Sequence, residues 1–381
     1  MLGSSIVPVA LAFAVLDDLH GSATDLGLVL GARWLSLMTL TLVGGVWADR
    51  LPRHVVMLSA DLLRTASQAT LGILLISGDA KLWHLILSQA IAGTGDAFFN
   101  PASTGIVPHV VPPARLQQAN ALLSLTSSGT GVIGPAIGGT LVATAGAGWA
   151  FVGDGASFLV SAAFLAGLHL PRAAEKIEAT NFLADLRDGW REFRSQTWML
   201  PIDAWAVLAN MIVLAPFYVL GPVVAKRDLG GAGAWAAIAA AFGGGAVLGD
   251  LAALVFKPRR PLVVGCVAVS AFAAPLVLLA IPAPTPAIAA GALLAAFGLN
   301  LFNTFFVTTM QEQVPPAALS RVTSYDWVAS VAFLPLGFAL TGPLADLVGG
   351  PELLYAAAVF QVLASVLLAS LPSVRAIRRK E

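Results

Sequence analysis

The sequence predicts an all-α integral membrane protein, with about twelve transmembrane helices arranged in two six-helix halves. Three observations predict this. Of the 381 residues, 57% are hydrophobic and only 11% charged, with mean hydropathy +0.83; a soluble domain carries about 25% charged residues. Apolar runs of spanning length tile the chain from end to end. The second half then repeats positions of the first at one fixed offset.

A bilayer core takes roughly 20 apolar residues per helix. The runs cover residues 2–17, 26–48, 54–77, 83–107, 116–145 and 149–170 in the first half. In the second half they cover 199–225, 232–256, 261–281, 285–311, 320–346 and 352–372. Lipid offers the backbone no hydrogen-bond partners, so each run is read as a helix. The first is short and starts without a basic leader, which speaks against a signal peptide. The expectation is a first helix shortened at its N-terminus, with the natural start upstream of Met1. The halves are placed at 1–170 and 199–372, joined by a linker at 171–198 and followed by a basic tail at 373–381.

Lys and Arg mark cytoplasmic loops, and here they fall in alternate loops. Arg50, Arg53, Arg115, Lys257, Arg259, Arg260 and Arg321 lie on one side with the linker and the tail. The opposite loops hold only Lys81, Lys226 and Arg227, with Asp17, Asp18, Asp25 and Glu352. Both termini and the linker are therefore expected inside, in a multi-pass protein of the cell (inner or plasma) membrane. Within the linker, Phe182, Leu186, Trp190 and Phe193 recur at helical spacing beside Arg187, Arg191 and Arg194. That suits either an amphipathic helix on the inner membrane surface or a solvated connecting helix.

The repeat has an offset of 203 residues: Gly95, Phe99 and Asn100 map onto Gly298, Phe302 and Asn303, and Val111-Pro112-Pro113-Ala114 onto Val314-Pro315-Pro316-Ala317. Gly134, Gly139 and Leu141 map onto Gly337, Gly342 and Leu344. Equivalent helices with one orientation imply a parallel repeat about an axis along the membrane normal, an arrangement found in transporters with the substrate path between the halves.

Two motifs carry more. After the second run comes Gly45-Val46-Trp47-Ala48-Asp49-Arg50-Leu51-Pro52-Arg53. Gly45 permits close helix approach, Asp49 can accept hydrogen bonds from a helix start, and Arg50 and Arg53 either latch onto carboxylates or simply anchor at the inner leaflet. In the fifth run, Gly134-Pro135-Ala136-Ile137-Gly138-Gly139 combines a freed carbonyl with glycines that allow bending and tight packing. The first motif resembles the G-x-x-x-D-R-x-x-R loop of the major facilitator superfamily, with Pro52 where the family often has Gly. The second resembles the signature of its proton-antiporting drug exporters. With 21–33, 97–122 and 311–322 added, the chain is similar to the branch that includes enterobactin-type siderophore exporters and macrolide-efflux permeases. That resemblance implies proton-driven export of a bulky amphipathic drug, macrolide or siderophore by alternating access, with helices 1, 4, 7 and 10 lining the cavity. An importer or uniporter of the same fold, and a transport-inactive sensor or scaffold, are the alternatives.

Ionisable groups at membrane depth are functional candidates by default. Asp96, one turn before Asn100 in the fourth run, is the expected proton-coupling carboxylate, because apolar surroundings disfavour a bare charge; a structural Asp bonded to a neighbouring helix is the alternative. Asn303 holds the repeat-equivalent place of Asn100, with Asn300 beside it and Asn210 in the seventh run as further cavity candidates. Arg33 calls for a carboxylate, from Asp96 or Asp154, unless it snorkels outward. Asp61 and Arg64, one turn apart, are expected to complete an inner charge network with Arg50 or Arg53, with Asp326 as a second-half counterpart. Gating and coupling residues are thus placed in the first half, and the second half is expected to shape the substrate wall. No nucleotide-binding GxxxxGK[ST] loop is present and no metal-spaced cluster occurs. The expectation is a non-enzymatic monomer without cofactor or nucleic-acid partner, whose partners are a small-molecule substrate, protons and the bilayer.

Overall fold

The structure, a computed structural model, describes residues 2–112, 115–167 and 190–378; within these ranges the side chains of 42, 43, 45–50, 104, 105, 108, 109, 116, 117, 120, 121, 316, 317, 320 and 321 lie outside the description. The loop motif's Gly45, Asp49 and Arg50 fall among those side chains, and Phe182 and Leu186 of the linker lie outside the described residues.

No strand occurs among the described residues. Helix α1, Leu2–Phe13, runs on through a π-helical turn, Ala14–Asp18. It is followed by α2 (Ala23–Arg50), α3 (Arg53–Ser77), α4 (Leu82–Val110), α5 (Leu116–Ala145) and α6 (Ala147–Ala166). After the linker come α7 (Met199–Asp228, with a π-helical turn at Asn210–Leu214), α8 (Ala232–Val255) and α9 (Pro261–Ala280, with a 3₁₀ turn at Ser270–Phe272). Helices α10 (Thr285–Gln313), α11 (Pro316–Val331), α12 (Leu334–Val348), α13 (Gly350–Ser370) and the short α14 (Pro372–Ala376) complete the chain. Among the described residues, seven helical runs are long and apolar enough to cross a membrane. Large apolar side chains such as Phe164, Leu254, Val255 and Leu347 stay exposed on the helix surfaces, which suits a lipid solvent.

The helix starts follow local chemistry. Ser22 and Asp25 cap α2 reciprocally: the Ser22 backbone N–H donates to Asp25 Oδ2 (2.8 Å) and the Asp25 N–H to Ser22 Oγ (3.2 Å). Helix α3 ends on Gly78, whose φ of 80° is the left-handed C-cap conformation that glycine adopts without strain.

The repeat is visible in the helix boundaries. Helices α4 and α10 have 29 residues each and start 203 positions apart. Helices α5 and α12 end at Ala145 and Val348, again 203 apart, on Gly146 and Gly349 with φ of 92° and 98°. The copies diverge in between. Pro135 sits inside a continuous α5, whereas the run expected at 320–346 is broken at 332–333, just before Pro335 at the start of α12. A proline lacks the N–H and crowds the preceding turn, so the chain either tolerates the kink or restarts the helix.

The chain forms two compact units: Met1–Ala174 with Pro222–Ala240 and Phe338–Pro343, and Glu175–Gly221 with Ala241–Gly337 and Leu344–Glu381. In the first, α2 packs along α4, α3 against α4 and α6, and α1 against α5 and α6. The borrowed stretches are held tightly there. Lys226 reaches Asp17 at 2.8 Å and also takes the Leu16 carbonyl in the π-turn. A Cβ on Gly27 would lie 2.1 Å from the Phe338 carbonyl oxygen, and one on Gly139 would lie 2.1 Å from Ala236 Cβ.

In the second unit, α9 packs on α10 and α13, and α11 on α7. Its core joins Trp205 edge-on to Phe302 (centroids 5.2 Å apart) with Phe306 stacked beyond at 5.9 Å, geometries that aromatic quadrupoles favour. The linker's end belongs to this core: Phe193 is buried in it, with Trp190 stacked at 5.6 Å and Tyr325 alongside. Cys266 is fully buried in the same cluster. A maleimide is therefore expected to leave folded protein unlabelled and to add one mass increment after denaturation; labelling of the folded protein would contradict this packing.

Candidate functional site

The first unit holds a chain of four charges. Arg33 of α2 donates through Nη2 to Asp96 Oδ2 at 2.8 Å, and Arg64 of α3 donates through Nη1 to Asp96 Oδ1 at 2.8 Å. The other end of the Arg64 fork reaches Asp61 Oδ1 at 2.5 Å. Asp61 and Arg64 are one turn apart on α3, so both face α4. Two rings enclose the Arg64 guanidinium: Phe99 at 4.6 Å and Phe158 at 4.3 Å from their centroids, a favourable setting for a planar cation. Arg64 is 4% exposed and Asp61 fully buried, while the Asp96 side chain keeps 17% of its surface.

Glycines bring these helices close enough. A Cβ on Gly93 would fall 2.1 Å from the Arg33 carbonyl oxygen, and one on Gly95 would fall 2.7 Å from Arg64 Cδ. Of the two carboxylates expected to answer Arg33, Asp96 does so. Asp154 is buried in α6 instead, where Ser4 Oγ donates to its Oδ1 at 3.4 Å and Gly3 presses against it. Asp61 and Arg64 join Asp96 and Arg33, tying α2, α3 and α4 through one carboxylate. Asn100, one turn beyond Asp96, is exposed. In α5, Gly134 and Gly138 lie against Ser5 and Ile6 of α1, which makes this glycine motif a close-packing face.

The second unit holds a cavity of about 300 Å³, at the small end of the range for small-molecule sites. Asn210 and Asn303 line it; Asn210 Nδ2 donates to the Ser330 carbonyl at 2.7 Å where the π-turn begins. Asn300 turns its amide back to the Ala296 carbonyl (3.0 Å) and is not in the lining. Two carboxyl groups share the cavity, Asp203 of α7 and Asp326 of α11, close enough to interact. Asp326 thus faces another acid rather than an arginine network. Asp203 escaped the sequence reading, although the rule that selected Asp96 applies to it equally: a carboxylate within a run of mean hydropathy 2.0.

A sequence profile of the Major Facilitator Superfamily matches residues 1–329. The chain belongs to this superfamily. Among superfamily relatives, the multidrug efflux pump Tap of Mycolicibacterium fortuitum is 26% identical over 396 residues, covering 98% of this chain and 93% of its own. Macrolide efflux protein A of Streptococcus pyogenes is 21% identical over 358 residues, covering 92% and 87%. The superfamily fold recurs in the nucleoside transporter NupG (TM-score 0.75, 13% identity, 96% of this chain and 97% of that one). It recurs also in a bacterial homologue of the human lysosomal transporter Spinster (TM-score 0.71, 17% identity, 97% and 94%). The protein is a multi-pass transporter of the superfamily, not an enzyme.

Proposed function

We propose that this superfamily member exports an amphipathic small molecule (a drug, macrolide or siderophore) in exchange for protons, by alternating access across the cell membrane with both termini inside. The observation that carries the reading is the position of Asp96: one carboxylate holds guanidiniums from α2 and α3, yet keeps part of its surface open. A proton arriving at Asp96 cancels its charge and weakens two ion pairs at once, so helix packing and proton occupancy are linked. The efflux names of the two relatives support the direction. Gly45, Asp49, Arg50 and Arg53 are the inner latch in this reading.

The test is Asp96→Asn in inverted vesicles given a labelled macrolide in the surrounding medium, under an imposed pH gradient with the lumen acidic. Gradient-driven accumulation is expected to fall by roughly tenfold or more, the scale of losing a positioned proton-transfer group, while binding of the macrolide persists. Accumulation that keeps its full dependence on the gradient in this variant would remove Asp96 from coupling.

A further inference from the structure

The cavity in the second unit contrasts with the charge network of the first. There each acid meets a guanidinium. Here, among the described residues, Asp203 is 4% exposed and neither of its oxygens has a hydrogen-bond partner, while the neighbouring carboxyl it interacts with is that of Asp326. Two more buried groups on the same wall lack partners: the Trp205 indole N–H (residue 7% exposed) and the Gln361 side-chain oxygen (residue 1% exposed). The Gln361 amide nitrogen, by contrast, is spent on the Val269 carbonyl at 3.0 Å. Buried polar groups are almost always satisfied in folded proteins, so several orphans around one cavity mark the place of a ligand.

The wall states what that ligand brings. Two carboxyls and an amide oxygen offer acceptors and negative charge, against one indole donor, so the ligand supplies N–H hydrogens and positive charge. The remaining surface is aromatic, with Phe272, Phe302 and Phe306 on the lining, which suits an organic cation with an apolar body and disfavours a hydrated metal ion. Three acidic or imidazole groups that could hold a metal are not clustered anywhere among the described residues.

We propose that Asp203 and Asp326, with the Gln361 side-chain oxygen, form a binding site for a protonated organic amine carrying a compact apolar group. The inference deepens the export reading by naming a substrate class, and it rests on that reading only in calling the amine a substrate. Alkyl–ring size matters: a cavity of about 300 Å³ takes one ring and a short chain, so a larger substrate would place only its amine end here.

Binding decides it without flux. Full-length protein in lipid nanodiscs would be titrated calorimetrically with 4-phenylbutylamine and with its neutral isostere, 4-phenylbutanol. The amine is expected to bind saturably and roughly tenfold or more tighter than the alcohol, and Asp203→Asn and Asp326→Asn are each expected to erase about that factor while leaving the alcohol unchanged. Equal affinity of amine and alcohol for the unmodified protein overturns the proposal, and that comparison needs no variant to fold. Folded Asp203→Asn protein that binds the amine as before overturns it too. A failed macrolide-export assay beside a selective amine site would sink the export reading alone; a lost amine preference beside intact export would sink this site alone.

Discussion

Replacing Arg64 with Met is expected to destabilise the first unit by about 3–5 kcal/mol, the cost of leaving a buried charge without its partner. Among the described residues, Arg64 is the one cation that reaches both Asp61, fully buried, and Asp96. Its ring contacts with Phe99 and Phe158 would be kept in part by the Met side chain, so the loss isolates the charge. Lys is not expected to rescue: an ammonium is a point donor, whereas the guanidinium fork spans two carboxylates on two helices. The second variant is Asp61→Asn with Arg64→Met, which removes one of the stranded charges. It is expected to recover a substantial part of the lost stability, because most of the penalty is the unpaired acid and not the missing attraction. Thermal inactivation in detergent, followed by the monodisperse fraction on size exclusion, reads both. An Arg64→Met protein that melts with the unaltered protein would show that the network does not hold these helices.

The helices themselves were legible because hydropathy measures what lipid selects, namely length and lack of charge. The repeat was legible too, and its offset of 203 residues reappears in the boundaries of α4 and α10 and in the glycines that end α5 and α12. Partner choice across helices was only half legible. The need of Arg33 for a carboxylate followed from burial alone, but the choice of Asp96 over Asp154 depends on the depth and rotation of α4 against α2. The close approach at Gly93 sets these, and no hydropathy scale encodes them. For the same reason the pairing of Arg64 with Asp96 is not legible from the spacing of Asp61 and Arg64 alone. Asp203 was hidden differently: it stands in one of the most apolar runs of the chain, where a single acid barely alters the average. Its meaning emerged only when α11 placed Asp326 on the same cavity. The break between α11 and α12 had a local signal, Pro335, but Pro135 inside α5, three positions away from the repeat-equivalent place, leaves that helix unbroken. Proline marks a weak point, and tertiary packing decides whether the helix parts there.

Gly93→Val is the second large effect, and it separates packing from charge. A Cβ at this position would stand 2.1 Å from the Arg33 carbonyl oxygen and 3.1 Å from Arg33 Cα, both backbone atoms that cannot rotate away. A carbon and a carbonyl oxygen settle at about 3.3–3.6 Å, so α2 and α4 must part by roughly 1 Å or more. That strain falls on the contact between two long helices whose backbones meet again at Gly44, which a Cβ would bring to 2.2 Å from the Ala97 carbonyl oxygen. Overpacking of this kind costs about 1–3 kcal/mol where neighbours can yield, and here the neighbour is a helix backbone, so the upper end or beyond is expected. The same displacement would stretch the 2.8 Å pair between Arg33 and Asp96, which lies one turn along α4. Gly131→Ala is the control, because nothing stands within 4 Å of a Cβ there; it should melt with the unaltered protein. If Gly93→Val melts there as well, α2 and α4 are not held at backbone contact. If it is destabilised while Asp96→Asn is not, close packing rather than the ion pair is what fixes the distance between these helices, and the charge network is then free to change state without unfolding the unit that carries it.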